Sequence, residues 1–461
     1  MTDAPDGIVV VVWEGCPTCQ LVAPVVEQLQ TAGAVSVLHR EESDAGLEAS
    51  YRLDVDTVPT LIRGDERVVG WSRDAWEAFT GVSGLGPGLP DYRPGCGSRT
   101  QEPSVVDELA ERFGAETLLS RRVQLAPLED EMEALFDRGW TDGLPVVPPT
   151  PARVLRMLAG TTRTPDEVVA VVPPDLVDAT VEKVAINAVL AGCKPEYLPI
   201  VLACVEAACT DEFNGHGLLA TTYFSGPVVI VNGPLARAVG MNGGGNALGQ
   251  GNRANATIGR ALQLVIRNIG GGKPGGVDRA TLGNPGKYSF CFAEDEGGSP
   301  WEPLSVERGF SADATTVTLF AGEGPRGIVD QLSRTPESLA RSLAAGLQSV
   351  AHPKLVLGFD AVLVVSPEHA RVFAEGGWDK ARLRKELFEL LTRPGAELIR
   401  GAGGIAEGLP EAFKDAALPK FRPDGLLIVH AGGRAGLFSS IIGGWVNGET
   451  GSQPITVEVR S

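Results

Sequence analysis

Apolar residues follow two patterns in the first 82 residues of the chain. A continuous apolar run, IVVVVW at 8–13, is typical of a buried strand, and residues 17–30 place apolar side chains at helical spacing. A second strand is predicted at 35–38, two more around the Gly-Asp turn of 57–71, and a closing helix at 73–80. The predicted order is therefore β-α-β, a connecting segment, and β-β-α.

The pattern of residues 104–461 predicts a large α/β domain. Within it, the segments 226–240, 359–374 and 424–440 are each predicted to form a buried strand, a short polar or Gly/Pro turn, and a helix. Buried strands that alternate with helices favour α/β layers with functional loops at the carboxyl ends of the strands. The three segments are compatible with a strand-loop-helix repeat, and a division into two subdomains would fall near 305–335. These motifs place the domain in no named family.

Residues 83–103 are predicted to be a linker, because they are rich in Gly and Pro and nearly free of aliphatic side chains. They contain Cys96, flanked by Gly95 and Gly97, which would let another backbone or a ligand approach the sulfur closely. Cys96 could reach back to Cys16, or it could enter the large domain as its nucleophile. An exposed thiol without a role is the alternative.

Charge and composition narrow the classes of partner. A formal net charge of −18 repels phosphate backbones and anionic lipids, which argues against nucleic-acid and membrane partners. The stretch MTDAPDGIVVVVW lacks the features of a signal peptide, and no apolar run reaches the roughly 18 residues of a membrane span. Without an export signal, the seven cysteines are expected to be reduced in the cytoplasm, apart from a catalytic pair. The helices rich in small residues are compatible with a homodimer.

The motif Cys16-Pro-Thr-Cys19 follows the first predicted strand and opens the first predicted helix. Cys16 would lie at the helix amino terminus, where the macrodipole and free N–H groups favour a thiolate. Cys19, one turn later, is the candidate resolving thiol that closes a disulfide. The alternatives are two structural cysteines or half of a zinc site, and a zinc site would need a second CxxC or a His pair nearby. Neither is present there, and no residues are assigned to a metal.

With CPTC at this junction and TVPT at 57–60, residues 1–82 resemble the thioredoxin superfamily. The resemblance implies a thioredoxin-like domain with a redox-active disulfide between Cys16 and Cys19. It also implies that Pro59 is the cis-proline that lies against the two cysteines and keeps a backbone edge open to substrate. Pro17 inside the motif is similar to glutaredoxin, but no glutathione-binding signature accompanies it.

The stretch 241–276 is the strongest candidate for a binding site in the large domain. Its glycine-rich loop leads into a predicted helix, so that backbone N–H groups could face an anion. Amides and guanidinium groups would add donors, and His216 in a nearby Gly-rich turn is a candidate for acid–base work. A tight packing loop is the alternative. The candidate substrate-binding residues are Asn246, Asn252, Arg253, Asn255 and Arg260.

Together these features predict a thiol-dependent oxidoreductase. Its thioredoxin-like domain would reduce, or relay electrons to, a cysteine that serves a small polar or anionic substrate in the large domain, with Cys96 as the leading candidate. Reductive cleavage, sulfur transfer and carbon–sulfur bond chemistry all fit, and a thiol reductant or reductase system would supply electrons. One alternative is a non-redox hydrolase or lyase with an accessory docking domain. Another is a binding module that holds clients at the cis-proline edge.

Overall fold

The computed structural model describes residues 7–114, 117–126, 128–448 and 450–460, and it has a mixed α/β fold. The chain divides into two compact units. The first covers the described residues of Met1–Leu118 together with Thr150–Leu155, and the second covers those of Leu119–Pro149 and Arg156–Ser461.

The first unit is built on a four-stranded sheet with the strand order β2-β1-β4-β5. Strand β1 is parallel to β2 and antiparallel to β4, and all five of its residues are buried. The elements are β1 (Ile8–Val12), α1 (Pro17–Thr31), β2 (Val35–Arg40), α2 (Asp44–Arg52), β3 (Thr57–Val58), β4 (Thr60–Arg63), β5 (Glu66–Val69), β6 (Trp71–Ser72), α3 (Arg73–Thr80), β7 (Tyr92–Arg93), β8 (Cys96–Gly97), a 3₁₀ turn (Arg99–Gln101), α4 (Pro103–Leu109) and a π turn (Ala110–Gly114).

Helix α1 packs its apolar face onto this sheet. Val22, Val25 and Leu29 are fully buried there against β1, so the helical spacing seen in the sequence marks the buried face. The predictions of a strand at 8–13 and of helices at 17–30 and 73–80 are confirmed to within one residue.

The segment 83–103 is paired with the first 82 residues, although its composition predicts a linker. Strand β7 pairs with β6, and β8 pairs with β3, both in antiparallel register. The Arg73 guanidinium binds the chain segment that precedes β7. It donates to the carbonyl oxygens of Leu85, of Gly86 at 2.9 Å and of Leu89 at 2.7 Å, and it forms an ion pair with Asp91. Gly and Pro exclude long regular elements, but they leave carbonyl groups free to accept such bonds.

The second unit contains an eight-stranded sheet with the order β12-β11-β13-β19-β15-β18, in which β14 also pairs with β19 and β20 with β13. Its elements are α5 (Glu131–Asp137), α6 (Pro151–Leu158, shared with the first unit), β9 (Val168–Val172), β10 (Val177–Thr180), α7 (Val181–Ala191), α8 (Leu198–Ala208), α9 (Gly215–Ala220), β11 (Gly226–Asn232), α10 (Pro234–Ala238), α11 (Arg253–Asn268), β12 (Cys291–Ala293), α12 (Leu304–Glu307), β13 (Thr316–Gly322), β14 (Arg326–Val329), α13 (Pro336–Leu347), β15 (Phe359–Val365), α14 (Pro367–Glu375), α15 (Lys380–Leu390), β16 (Thr392–Pro394), α16 (Gly395–Leu398), β17 (Ala417–Pro419), β18 (Leu426–His430), β19 (Phe438–Val446) and β20 (Ile455–Glu458). Short 3₁₀ turns lie at Pro195–Tyr197, Pro285–Lys287, Ala402–Gly404 and Glu411–Phe413.

Two expectations for the second unit differ from the structure. The predicted break near 305–335 falls on β13, which is paired with β11 on one side and with β19 and β20 on the other, so one sheet runs across it. The strand-loop-helix pattern holds for 226–240 and 359–374 but not for 424–440, where β18 is followed by a loop and then by β19. Gly432 and Gly436 have positive φ values, which interrupt a helix. The β-branched residues Ile441 and Ile442 of β19 favour a strand.

Within the described ranges, no helix combines the length and the apolar character that crossing a membrane requires.

Arg73 provides a test of how the 83–103 segment is held. We expect Arg73→Gln to release the chain around β7 and β8, because three carbonyl acceptors and one carboxylate lose their donor. The cost should be about 2 kcal/mol locally. Hydrogen exchange should therefore rise at residues 84–97 and remain unchanged in β1. Arg63→Gln is the matched control, because Arg63 is exposed and pairs with Glu66 on the same sheet. Equal exchange in both variants would contradict the anchoring role.

Candidate functional site

The two cysteines of the CPTC motif lie at the start of α1. Cys16 is the N-cap residue and Pro17 occupies the first helical position, where its missing N–H costs nothing. The backbone N–H of Cys19 donates to Cys16 Sγ at 3.3 Å, and that of Trp13 donates to Cys19 Sγ at 3.5 Å. Both side chains are buried, with exposed fractions of 0% for Cys16 and 5% for Cys19. The motif therefore places one thiol at the helix terminus and the second one turn inside it.

A third thiol, Cys96, lies against this pair. Strand β8 runs antiparallel to β3 so that Cys96 is opposite Val58 and Gly97 is opposite Thr57. The Cys16 thiol donates to the Val58 carbonyl oxygen at 3.5 Å, and the neighbouring Cys96 thiol acts on its acidity. The Val58–Pro59 peptide bond is cis. The short ladder between β3 and β8 thus brings the first and third cysteines to the same residue, Val58.

Close backbone approach on this side of the sheet requires glycine at position 95. A Cβ atom at Gly95 would lie 2.9 Å from the Val58 carbonyl oxygen and 2.5 Å from Thr57 Cγ2. At Gly97, by contrast, a Cβ atom would meet no atom within 4 Å. The two glycines that flank Cys96 therefore have different roles, and only Gly95 is needed for the approach to β3.

Polar contacts hold the chain on both sides of Cys96. Before it, Thr18 Oγ1 donates to the Pro94 carbonyl oxygen at 2.8 Å. After it, Ser98 Oγ donates to the buried carboxylate of Glu41, which also accepts the Arg99 backbone N–H at 2.9 Å. Cys96 is thus fixed by neighbours within its own unit.

The three thiols differ in acidity. Burial raises the pKa of Cys19, and burial together with the hydrogen bond to Cys96 raises the pKa of Cys16. Burial alone would also raise the pKa of Cys96, but hydrogen bonds from Cys16 and Thr18 and the charge of Arg93 lower it below the ordinary 9.0. The sequence predicts the thiolate at Cys16, whereas the structure favours it at Cys96, because Cys16 has no solvent exposure and donates to the half-buried Cys96.

The amides of the predicted binding loop bond within the loop itself. The Asn252 side chain caps α11 by accepting from Asn255 N and donates to the Gly240 carbonyl oxygen at 2.8 Å. Asn255 is buried and bridges Asn242 and Ala247, and Asn246 donates to the Gln250 carbonyl oxygen. These bonds account for the asparagines as supports of the loop, and their part in binding a substrate stays a prediction.

The other predicted residues of the large unit also have local surroundings. Arg253 donates to the Gly192 carbonyl oxygen at 3.0 Å, and Arg260 forms a bidentate ion pair with Asp142 at 2.8 Å. His216 is exposed on the short helix α9. The proposed roles of these residues in substrate binding and acid–base work stay predictions.

Sequence reasoning did not find the residues that support Cys96. Glu41 belongs to no motif, Thr18 was noted only as part of CPTC, and Val58 was noted only as part of TVPT. A signal was present in the Gly-Cys-Gly triplet, because a glycine on each side of a cysteine permits close backbone contact. Among the described residues, no group of three or more His, Cys, Asp or Glu side chains gathers as a metal site would require.

Comparison with known proteins does not add a family to this picture: no family model matches the chain, and no curated protein sequence matches it.

The acidity of Cys96 gives a pH prediction. A lowered pKa means a larger thiolate fraction at neutral pH, so the alkylation rate of Cys96 by iodoacetamide should reach its midpoint below pH 9.0. Cys16→Ala removes a donor to Cys96 and should shift this midpoint upward, which slows alkylation at pH 7 several-fold. Peptide mass spectrometry follows each site. Cys209 is the internal reference, because it is also half-buried but burial raises its pKa to about 12. A Cys96 midpoint that does not move in Cys16→Ala would contradict the hydrogen bond between the two thiols.

Proposed function

We propose that this chain is a thiol–disulfide oxidoreductase whose redox centre contains three cysteines, Cys16, Cys19 and Cys96. The carrying observation is the antiparallel pairing of β8 with β3, which sets Cys96 opposite Val58, the residue whose carbonyl oxygen accepts from the Cys16 thiol at the amino terminus of α1. The element order of the first unit, with the CPTC motif at the junction of β1 and α1, supports the resemblance to thioredoxin. In this proposal, β8 occupies the backbone edge where the resemblance implies that a substrate strand binds.

In this proposal, the thiolate of Cys96 is the nucleophile that attacks the substrate. It is the most exposed and the most acidic of the three thiols, whereas Cys16 and Cys19 are covered. The substrate class is a small-molecule disulfide, RSSR, which a half-buried thiolate can reach. Cys96 attacks one sulfur of RSSR, forms a Cys96–SR mixed disulfide and releases RS⁻.

Two exchange steps then move the disulfide inward. Cys16 attacks the sulfur of Cys96, so that a Cys16–Cys96 disulfide forms and the second RS⁻ leaves with the proton of Cys16 as RSH. Cys19 then attacks Cys16, which forms the Cys16–Cys19 disulfide, frees Cys96 as a thiolate and releases the Cys19 proton to water. RSSR is reduced to two thiols, and the two cysteines of the CPTC motif are oxidised.

A dithiol reductant returns the electrons by opening the Cys16–Cys19 disulfide. That the cysteine serves a substrate site in the large domain stays a prediction from the sequence. Reductive cleavage, sulfur transfer and carbon–sulfur bond chemistry remain open as reactions of that unit. The alternative of a non-redox hydrolase or lyase also remains, and it requires full activity of a Cys16→Ser, Cys19→Ser double variant.

The order of the three sulfurs can be tested with 5,5′-dithiobis(2-nitrobenzoate), a disulfide whose thiol product is coloured. In Cys19→Ser, we expect release of two equivalents of the product and a stable Cys16–Cys96 disulfide in the peptide map, because the resolving thiol is absent. In Cys16→Ser, release should stop at one equivalent and the reagent should remain on Cys96. In Cys96→Ser, the first release should slow by about a hundredfold, since only covered thiols remain in the centre.

Cys209→Ser is the matched control, because Cys209 is the other half-buried cysteine and belongs to the second unit. In Cys209→Ser, Cys96 should react with the reagent at the same rate as in the unaltered protein. If Cys96→Ser reacts as fast as the unaltered protein, or if Cys19→Ser carries separate adducts on Cys16 and Cys96, this order of steps is wrong.

The flanking glycines test whether the β3–β8 pairing is what joins the two thiols. Gly95→Ala places a methyl group against the Val58 carbonyl oxygen and should move β8 away from β3. We expect the rate of Cys16–Cys96 disulfide formation in the Cys19→Ser background to fall by at least about tenfold. Gly97→Ala, which meets open space, should leave the rate unchanged. Equal rates in the two variants would contradict a role for the strand pairing.

A further inference from the structure

The second unit contains a partly open cavity of about 530 Å³ beside α11, at the beginning of β11 and under the loop that follows α11. Its lining includes residues from α8, α9 and α11, and all of the lining residues belong to this one unit. The volume lies within the range of roughly 300–1,000 Å³ that is typical of small-molecule sites. Neither the CPTC motif nor the asparagine-rich loop of residues 241–252 lines it, although the later part of the predicted binding stretch 241–276 does.

Most of the cavity surface is apolar. Phe213 and Leu218 are buried side chains of this lining, and Ile266 contributes from α11. An apolar wall of this kind favours the hydrocarbon part of a ligand, because each buried methylene group removes apolar surface from water. Such a wall alone would not select among ligands.

Arg267 is the residue of the lining that would distinguish an anionic ligand from a neutral one. Its guanidinium makes no hydrogen bond and no ion pair with any described residue, and its Nε atom is buried. The guanidinium is always charged in proteins, and its buried Nε–H group has no acceptor among the described residues, which is unfavourable. A ligand with an anionic acceptor would remove this cost.

The other charged side chains of the lining already have partners. Lys287 donates to both carboxylate oxygens of Asp278, at 2.6 and 2.7 Å, and Asp142 is paired with Arg260. Arg267 is therefore the uncompensated charge of the lining, as far as the described residues show, and the cavity has a cationic character within a chain of net charge −18. A neutral or cationic ligand would leave that charge unpaired.

Two neutral side chains of the same lining also have unused hydrogen-bonding capacity. Ser225 lines the cavity at the start of β11, is 1% exposed, and its Oγ has no described partner. Gln263 lies one turn before Arg267 on α11, and its side-chain amide makes no hydrogen bond with a described residue. A planar ion with two oxygens could accept from the guanidinium in bidentate geometry, which suits a carboxylate.

We infer that this cavity is a binding site for a small organic carboxylate with an apolar body, in which Arg267 receives the carboxylate and the apolar wall receives the hydrocarbon part. The inference does not depend on the proposed thiol chemistry, because no cysteine of the CPTC centre takes part in it.

Octanoate is a suitable probe, and calorimetric titration of the full reduced chain is the measurement. We expect saturable binding with one octanoate per chain, and binding at least about tenfold weaker for octan-1-ol, which lacks the charge, and for acetate, which lacks the apolar body. Arg267→Gln should weaken octanoate binding by at least about tenfold. Arg279→Gln is the matched control, because Arg279 is an exposed arginine of the neighbouring loop, lies outside the lining and changes the net charge equally.

A second variant covers the case in which Arg267→Gln does not fold. Ala280 lies in the loop over the cavity and is only partly buried, so Ala280→Phe should fill the space without disturbing α11. Loss of octanoate binding in Ala280→Phe, with the melting temperature kept, would support the site. Equal affinity for octanoate and octan-1-ol, unchanged affinity in Arg267→Gln, or no saturation in the unaltered chain would overturn it.

Discussion

The pairing of two residues of β8 with two residues of β3 is the interaction on which the candidate redox centre depends. It sets Cys96 opposite Val58, whose carbonyl oxygen lies 3.5 Å from Cys16 Sγ. Without this ladder, Cys96 would be a thiol on a glycine-rich segment, with no fixed neighbour. The contacts of Arg73, Thr18 and Glu41 matter because they hold the chain in register on either side of that pairing.

Local patterns in the sequence predicted much of the first unit. Apolar runs and helical spacing identified β1 and α1, because those elements have one buried face and a regular period. Helix α2 was not predicted, since its buried residues are the small side chains of Gly46 and Ser50 rather than an apolar stripe. The location of Cys16 and Cys19 followed from the motif, whereas their acidity relative to Cys96 did not, because it depends on burial and on a neighbour 80 residues away.

The asparagine-rich loop and the cavity show a related limit in the second unit. A run of glycines and amides marks a place where backbone and side chains make unusual hydrogen bonds, but it does not say whether the partner is a ligand or the loop itself. Asn255 bonds to Asn242 and Ala247 within the same stretch. The residues around the cavity are scattered from 142 to 288, and no spacing in the sequence relates them. Only the tertiary structure shows that Arg267 lacks a partner among the residues it describes.

The pairing of β8 with β3 would also affect how fast a protein substrate could bind to β3. A strand of another protein could pair with β3 only after β8 had left it, and β8 is tethered by a short connection that maintains a local concentration of about millimolar or higher. A client at cellular concentration would compete poorly against such a tethered strand. Under the proposed thiol exchange, small molecules would need only the sulfur of Cys96 and no backbone partner, so the pairing of β8 with β3 would select substrates by size.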